Sequence, residues 1–129
     1  MTLFIKIPIK TLNEANLSEH WTKRAKRRRI QRFAIQAYLN GKINHFKIPC
    51  RIKITRIAPN KLDYHDGLPC SMKSIVDQIC DMIVPGLEAG RSDDKGFKIE
   101  YDQKQGLPKE YAVEVEITNL YHEIPCNGM

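Results

Sequence analysis

The sequence predicts an α/β protein of the α+β type, in which a mixed β-sheet packs against two helices in a two-layer arrangement. Three observations predict this class. Four segments alternate apolar and polar residues with period two, two segments carry apolar residues at helical spacing, and together they follow the order β-α-β-α-β-β. With 129 residues and a 42% hydrophobic content, the chain is expected to fold as one domain over residues 1–119, followed by a short tail at 120–129.

The first two elements are a strand and a long helix. The strand is predicted over Leu3–Lys10, with Pro8 near its end because proline cannot donate to a β-ladder. The helix is predicted over Glu19–Asn40, with Ser18 as its N-cap. An apolar stripe is expected to face the core, and it consists of Trp21, Ala25, Ile30, Phe33, Ala34, Ala37 and Tyr38.

The remaining elements complete the predicted order. A second strand over Ile48–Thr55 has an apolar face and a basic face, the latter carrying Arg51 and Lys53. A second helix is predicted over Leu68–Val84, and Pro69 suits its first turn. Two further strands, Phe97–Tyr101 and Tyr111–Ile117, are most simply joined as a hairpin.

The composition favours a cytoplasmic protein without membrane segments. The sequence contains no run of eighteen apolar residues and no secretory leader pattern. Its four cysteines, Cys50, Cys70, Cys80 and Cys126, lack the paired spacing of a structural zinc site. We expect free, buried thiols rather than disulfides, since a chain of this length buries enough surface without covalent links.

The charge is unevenly distributed along the chain. Residues 1–60 contain 14 Lys and Arg against two acidic residues, a net charge of +12, whereas residues 61–129 contain 7 against 13, a net charge of −6. Seven bases fall within ten residues of the first helix, and their mutual repulsion favours a polyanionic partner. They are Lys23, Arg24, Lys26, Arg27, Arg28, Arg29 and Arg32.

Carboxylates lie in the two loops that flank the second helix. Asp63 and Asp66 precede it and Asp94 follows it, and such oxygen ligands suit a hard cation such as Mg²⁺. Each loop also has an ordinary interpretation, since Asp66 suits a helix cap and Asp94 a turn. Lys73 is either a solvent-exposed helix residue or a cation that stabilises charge developing on a phosphate. Trp21 is expected in the core, although Trp21 or Tyr64 could instead stack on an opened base.

The chain resembles the RusA family of Holliday junction resolvases, in particular its phage-type members, from about Leu3 to Ile117. No single motif is specific, but the order and spacing of the matches are. In the N-terminal part they are Asn13, Leu17, His20-Trp21 and the arginine-rich helix through Arg32. The central matches are Leu62-Asp63, His65-Asp66-Gly67-Leu68, Lys73, Ile75-Val76-Asp77 and Ile79. The later matches are Gly90, Asp93-Asp94, Ile99, Tyr101, Gln103, Lys104 and Gly106.

The resemblance implies a homodimeric, Mg²⁺-dependent endodeoxyribonuclease that cuts four-way DNA junctions in recombination and repair. By position, Asp66 matches the second aspartate of the family's Asp-x-Asp-Asn motif and Asp94 the later catalytic aspartate. Either Tyr64, or Asp63 after a one-residue insertion, matches the first aspartate. Gly67 replaces the motif's asparagine, and Lys73 lies about one helical turn beyond the family's lysine.

The sequence therefore predicts a metal-dependent nuclease encoded by a bacterium, a phage or a prophage. Asp63, Asp66 and Asp94 are expected to hold Mg²⁺ or Mn²⁺, Lys73 to act near the scissile phosphate, and no small-molecule cofactor to be needed. The seven bases of the first helix, with Arg51 and Lys53 of the second strand, are expected to contact DNA. A non-catalytic DNA-binding module related to the resolvases is the alternative, and an RNA-binding protein is a third possibility.

Overall fold

The structure is a computed structural model that describes residues 2–12, 20–64, 67–85 and 96–120. Within these ranges it has seven elements in chain order: β1 (Thr2–Ile7), α1 (Trp21–Leu39), β2 (Cys50–Ala58), α2 (Gly67–Ser71), α3 (Lys73–Ile83), β3 (Phe97–Gln105) and β4 (Ala112–Asn119). The predicted mixed sheet and its two-layer packing against helices are confirmed. No helix of the described ranges is long and apolar enough to span a membrane.

The four strands of the described chain form one mixed sheet in the order β1-β4-β2-β3. β2 pairs parallel with β3, and β4 lies antiparallel between β1 and β2. β2 therefore lies between β3 and β4, so the predicted β3–β4 hairpin is wrong. The segment that joins these strands crosses the end of β2, where the Gly106 amide donates to the Ala58 carbonyl at 2.8 Å.

Gly106 makes this crossing possible because it has no side chain. A Cβ at this position would lie 2.8 Å from Glu110 Oε1 and 3.0 Å from Ile57 Cγ2. Glu110 Oε1 is held in place because it accepts the Leu107 amide at 2.8 Å. The turn chemistry that suggested a hairpin thus belongs to a connection that passes over a neighbouring strand.

The core lies between the sheet and the helices. Alternate residues of β4 and of the first half of β2 are fully buried, as the alternation predicted, and these residues are Cys50, Ile52, Ile54, Val113, Val115 and Ile117. The second half of β2 departs from the alternation because every residue from Ile54 to Ala58 is buried. From the helical layer, Ile35, Leu39, Leu68, Met72, Ile75 and Ile79 complete this cluster. The described cysteines are free thiols, as expected; Cys50 and Cys80 are buried, whereas Cys70 is half-buried.

The predicted second helix is divided into α2 and α3 at Met72. The Ser71 hydroxyl donates to the Leu68 carbonyl at 2.8 Å, and the Met72 amide bonds instead to the Pro69 carbonyl at 3.2 Å. A serine side chain that bonds a carbonyl of the preceding turn competes with the helical ladder. As a result Lys73 begins α3, whereas the sequence placed it one and a half turns inside a continuous helix.

α1 begins at Trp21, and His20 rather than Ser18 is its N-cap. His20 Nδ1 accepts the Thr22 amide at 3.2 Å and lies 2.8 Å from the Thr22 hydroxyl. A side-chain acceptor at this position satisfies one of the amides that a helix start leaves unpaired. Ser18 and Glu19 lie outside the described residues.

Candidate nucleic-acid interface

α1 turns a different face to the core from the one predicted. Gln31, Ile35 and Leu39 are its buried residues, and their spacing of four places them on one side of the helix. Trp21 and Phe33 are instead 72% and 71% exposed, so the predicted apolar stripe and the core placement of Trp21 are wrong. Of that stripe, Ala34 packs against the core cluster, while Ile30 and Tyr38 are also exposed.

A polar relay explains why glutamine occupies the buried face. Gln31 Nε2 donates to the Lys10 carbonyl at 3.0 Å, and Gln31 Oε1 accepts the Ser74 hydroxyl. Both functional groups of the amide are therefore satisfied although the residue is 3% exposed. The relay joins the end of β1, α1 and α3, and it fixes the rotation of α1 about its axis.

With this rotation none of the bases of α1 is fully buried. Lys23, Lys26, Arg28, Arg29 and Arg32 are exposed, while Arg24 and Arg27 are half-buried. α1 itself contains seven basic and no acidic residues. The basic surface of α1, which we define as these seven residues, extends along about three turns of helix and around more than one side of it: Arg28 and Arg32 face α3, while Lys23, Lys26 and Arg27 line a cavity next to Lys10.

Arg28 and Arg32 also face α3, where a cavity of about 240 Å³ separates the two helices. Lys73, Ser74 and Asp77 line its other side. Three cationic side chains and one carboxylate therefore share this cavity, which leaves it with a positive balance. Lys73 is exposed and occupies the first position of α3, so the partial positive charge of a helix N-terminus adds to its own.

Asp63 and Tyr64 follow β2 in a loop that is anchored on both sides. Gln103 of β3 bonds both the amide and the carbonyl of Leu62, at 2.9 and 2.7 Å. The Asp63 carbonyl accepts the Leu68 amide at 2.8 Å, which begins α2. Asp63 is an exposed residue of this loop.

Tyr64 is directed toward the edge strand. Its hydroxyl donates to Asp102 Oδ1 at 3.3 Å, and the same oxygen accepts the Gln103 amide at 2.8 Å. The Tyr64 side chain ends in a hydroxyl, whereas that of Asp63 next to it ends in a carboxylate. Of the two residues that match the first aspartate of the motif, Asp63 has the chemistry that a hard cation requires.

A buried arginine secures the start of this loop. Arg56 Nε donates to Thr11 Oγ1 at 2.8 Å, one terminal nitrogen donates to the Asn60 carbonyl at 2.7 Å, and the other to the Thr11 carbonyl at 3.3 Å. Burial lowers the pKa of the Arg56 guanidinium from its ordinary value. The sequence did not single out this residue because the predicted strand ended at Thr55, one residue before it.

Asp66 and Asp94 lie outside the described residues, as does His65. Among the residues that the structure describes, no group of three or more histidine, cysteine or acidic side chains is arranged to hold a metal ion. Asp63 is the member of the predicted ligand set whose position is described.

Arg51 and Lys53 lie on the outer face of the sheet, away from the helices. Arg51 is 3.9 Å from Glu100 and 3.6 Å from Glu116, and Lys53 is 3.9 Å from Asp102. The outward positions of the four strands carry five bases, Lys6, Arg51, Lys53, Lys98 and Lys104, against four carboxylates, Glu100, Asp102, Glu114 and Glu116. This face is nearly balanced in charge, unlike the basic surface of α1.

In comparisons with known proteins, no family model matches the chain and no curated protein matches its sequence.

Proposed function

We propose that the chain is a divalent-metal-dependent endonuclease that acts on branched DNA, with the four-way junction as its substrate, and that the basic surface of α1 binds the phosphate backbone. The observation that carries this proposal is the cavity in which Arg28 and Arg32 of α1 meet Lys73 of α3. This cavity connects the basic surface of α1, which is suited to phosphate binding, to the first turn of α3. Along the chain, α3 follows the segment that carries Asp63 and Asp66.

Charge supports the binding part of the proposal. Seven bases on one helix, with no acidic residue among them, repel one another at a cost that a polyanion relieves. Phosphates neutralised by lysine and arginine release condensed counterions, which gives affinity with little sequence information. We leave Arg51 and Lys53 out of the proposed interface because carboxylates of the sheet accompany them.

In the proposed reaction, the residues near α3 act on one phosphodiester. Arg28 and Arg32 hold the backbone, and Lys73 offsets negative charge at the scissile phosphate. Asp63, Asp66 and Asp94 are the proposed ligands of Mg²⁺ or Mn²⁺. Held there, such a cation would supply Lewis acidity and activate a water for attack on phosphorus, while the bond from phosphorus to the leaving oxygen breaks.

A homodimer is part of this proposal. A four-way junction has approximate twofold symmetry, so paired nicking needs two active sites related by a twofold axis. Sedimentation of the protein, free and bound to a junction, is expected to give the mass of two chains. A monomer in both states would contradict the dimer.

The decisive experiment for catalysis incubates a labelled four-way junction with the protein and Mg²⁺ or Mn²⁺, with EDTA as the control. Paired nicks are expected with metal and none with EDTA. Asp66→Asn is expected to abolish cleavage while junction binding persists, and Glu100→Gln, on the outer face of the sheet, serves as the matched control. Retention of the junction without products under all metal conditions would leave a DNA-binding module and overturn the nuclease.

The binding surface has its own test. In the double variant Arg28→Ala with Arg32→Ala, the slope of log affinity against log salt is expected to fall by about 1.8, since each lost phosphate contact contributes about 0.9. Lys47→Ala with Lys98→Ala removes the same charge away from α1 and should leave the slope unchanged. Equal slopes for the two double variants would contradict the assignment of the interface to α1. Competition between the junction and structured RNA distinguishes DNA from RNA as the partner.

A further inference from the structure

The chain's single tryptophan is exposed at the edge of the proposed interface. Trp21 is the first residue of α1 and is 72% exposed. Burial of a large aromatic side chain contributes strongly to stability, but the Trp21 side chain lies outside the core of this fold. An indole that is kept in solvent beside a basic surface is instead suited to stacking on a nucleobase.

The helical spacing connects Trp21 to the phosphate-binding residues. Arg28 lies seven residues after Trp21 and Arg32 eleven, so the three side chains occupy one edge of α1. This is the edge at which Arg28 and Arg32 line the cavity with Lys73. Trp21 is about 10 Å from Arg28 along the helix axis, the length of about three nucleotides at 3.4 Å each.

The local structure holds the indole at this edge. The His20 ring lies 5.6 Å from the Trp21 ring, centroid to centroid, with an angle of 31° between the planes. His20 is itself fixed because its Nδ1 caps the helix through the Thr22 amide. Trp21 is thereby attached to an ordered helix start, which lowers the entropy lost when a base stacks on it.

We infer that Trp21 is a stacking site for an unpaired DNA base, located about three nucleotides from the phosphates held by Arg28 and Arg32. The inference rests on the proposed DNA-binding function and adds to it that the preferred substrate carries single-stranded or unstacked nucleotides next to the duplex. Phosphate contacts then provide general affinity, and Trp21 provides the preference for branch points and single-stranded tails.

Intrinsic fluorescence tests the inference directly because the chain has one tryptophan. The protein is titrated with a blunt duplex and with the same duplex carrying a single-stranded thymine tail of about five nucleotides, a length within the site size of stacking proteins. Tailed DNA is expected to quench Trp21 at saturation, and the blunt duplex to leave its emission nearly unchanged. Equal emission with both DNAs at saturation would overturn the inference.

Substitutions provide the second measurement. Trp21→Ala is expected to weaken binding of tailed DNA by about 5- to 150-fold, the effect of one lost stacked base, and to leave blunt-duplex binding unchanged. Trp21→Phe keeps an aromatic face and should retain most of the preference. Phe33→Ala removes an equally exposed aromatic residue that lies about 120° around α1 from Trp21, and it should have no effect on either DNA.

The outcomes separate this inference from the function on which it rests. If all variants bind both DNAs with the same steep salt dependence, the stacking site is wrong while the phosphate-binding surface stands. If neither DNA binds with salt-dependent affinity, the proposed function fails first. If Trp21→Ala instead lowers the sedimented mass of the protein without DNA, Trp21 belongs to an interface between two copies and the stacking site is overturned.

Discussion

The side-chain amide of Gln103 bonds both backbone polar groups of Leu62. Gln103 Oε1 accepts the Leu62 amide at 2.9 Å, and Gln103 Nε2 donates to the Leu62 carbonyl at 2.7 Å. These two hydrogen bonds resemble the pair that facing residues of adjacent strands form through their backbones, although Leu62 lies in a loop. Asp63, the first proposed metal ligand, directly follows Leu62. The buried side-chain amide of Gln103 therefore fixes the position of Asp63 relative to the sheet.

We expect Gln103→Leu to lower the free energy of unfolding by about 1–3 kcal/mol, because two buried backbone groups lose their partners. Native-state hydrogen exchange should show faster exchange at the Leu62 amide than in the parent. Gln105→Leu, on the exposed end of the same strand, is the control and should alter neither quantity appreciably. Unchanged exchange at Leu62 in the first variant would show that the loop is held by other contacts.

The rotation of α1 can be tested with two isoleucines of the same helix. Ile35 is fully buried and Ile30 is 59% exposed. Ile35→Ala should cost about 2–5 kcal/mol of unfolding free energy, since it leaves a cavity in the core. Ile30→Ala should change it by less than about 0.5 kcal/mol. Chemical denaturation of both variants measures the two losses of unfolding free energy. A larger loss in Ile30→Ala than in Ile35→Ala would instead support the buried face that the periodicity predicted.

The buried thiol of Cys50 makes stability depend on alkaline pH. Burial raises the pKa of Cys50 from 9.0 to about 11. The unfolded chain therefore loses this proton at a lower pH than the folded protein does. The contribution of the thiol to stability is complete below about pH 9 and is lost as the pH rises through about 11.

Denaturant unfolding of the parent and of Cys50→Ala, measured from pH 8 to pH 11, tests this linkage. Other groups titrate in the same range, so the difference between the two proteins is the informative quantity. We expect that difference to shrink by about 2–3 kcal/mol, as two pKa units correspond to that free energy. A difference that stays constant across the range would contradict the shift.

The faces of the strands were readable from the sequence alone. The alternation in β2 and β4 correctly separated buried positions such as Ile52 and Val115 from outward ones such as Arg51. Side chains of a strand alternate between the two sides of the sheet, so this property is local and needs no knowledge of the neighbours. The fold class followed from the same local patterns and from their order.

Other features depended on contacts between distant residues. β3 pairs in parallel with β2, so β3 and β4 are not neighbours as a hairpin requires. The turn sequence between β3 and β4 cannot reveal this pairing. Gln31 takes a core position of α1 because Lys10 and Ser74 complete its hydrogen bonds, while Trp21 is left in solvent. The sequence could show that α1 is basic, but not which edge would face α3.

The sequence by itself determined the class of the fold, the apolar faces of the strands and the concentration of positive charge on α1, because periodicity and charge are properties of neighbouring residues. The tertiary structure decided the strand order, the rotation of α1, the break at Met72 and the meeting of Arg28 and Arg32 with Lys73. These depend on which buried polar groups find partners across the chain, and hydrogen bonds between residues more than twenty positions apart leave no period in a sequence.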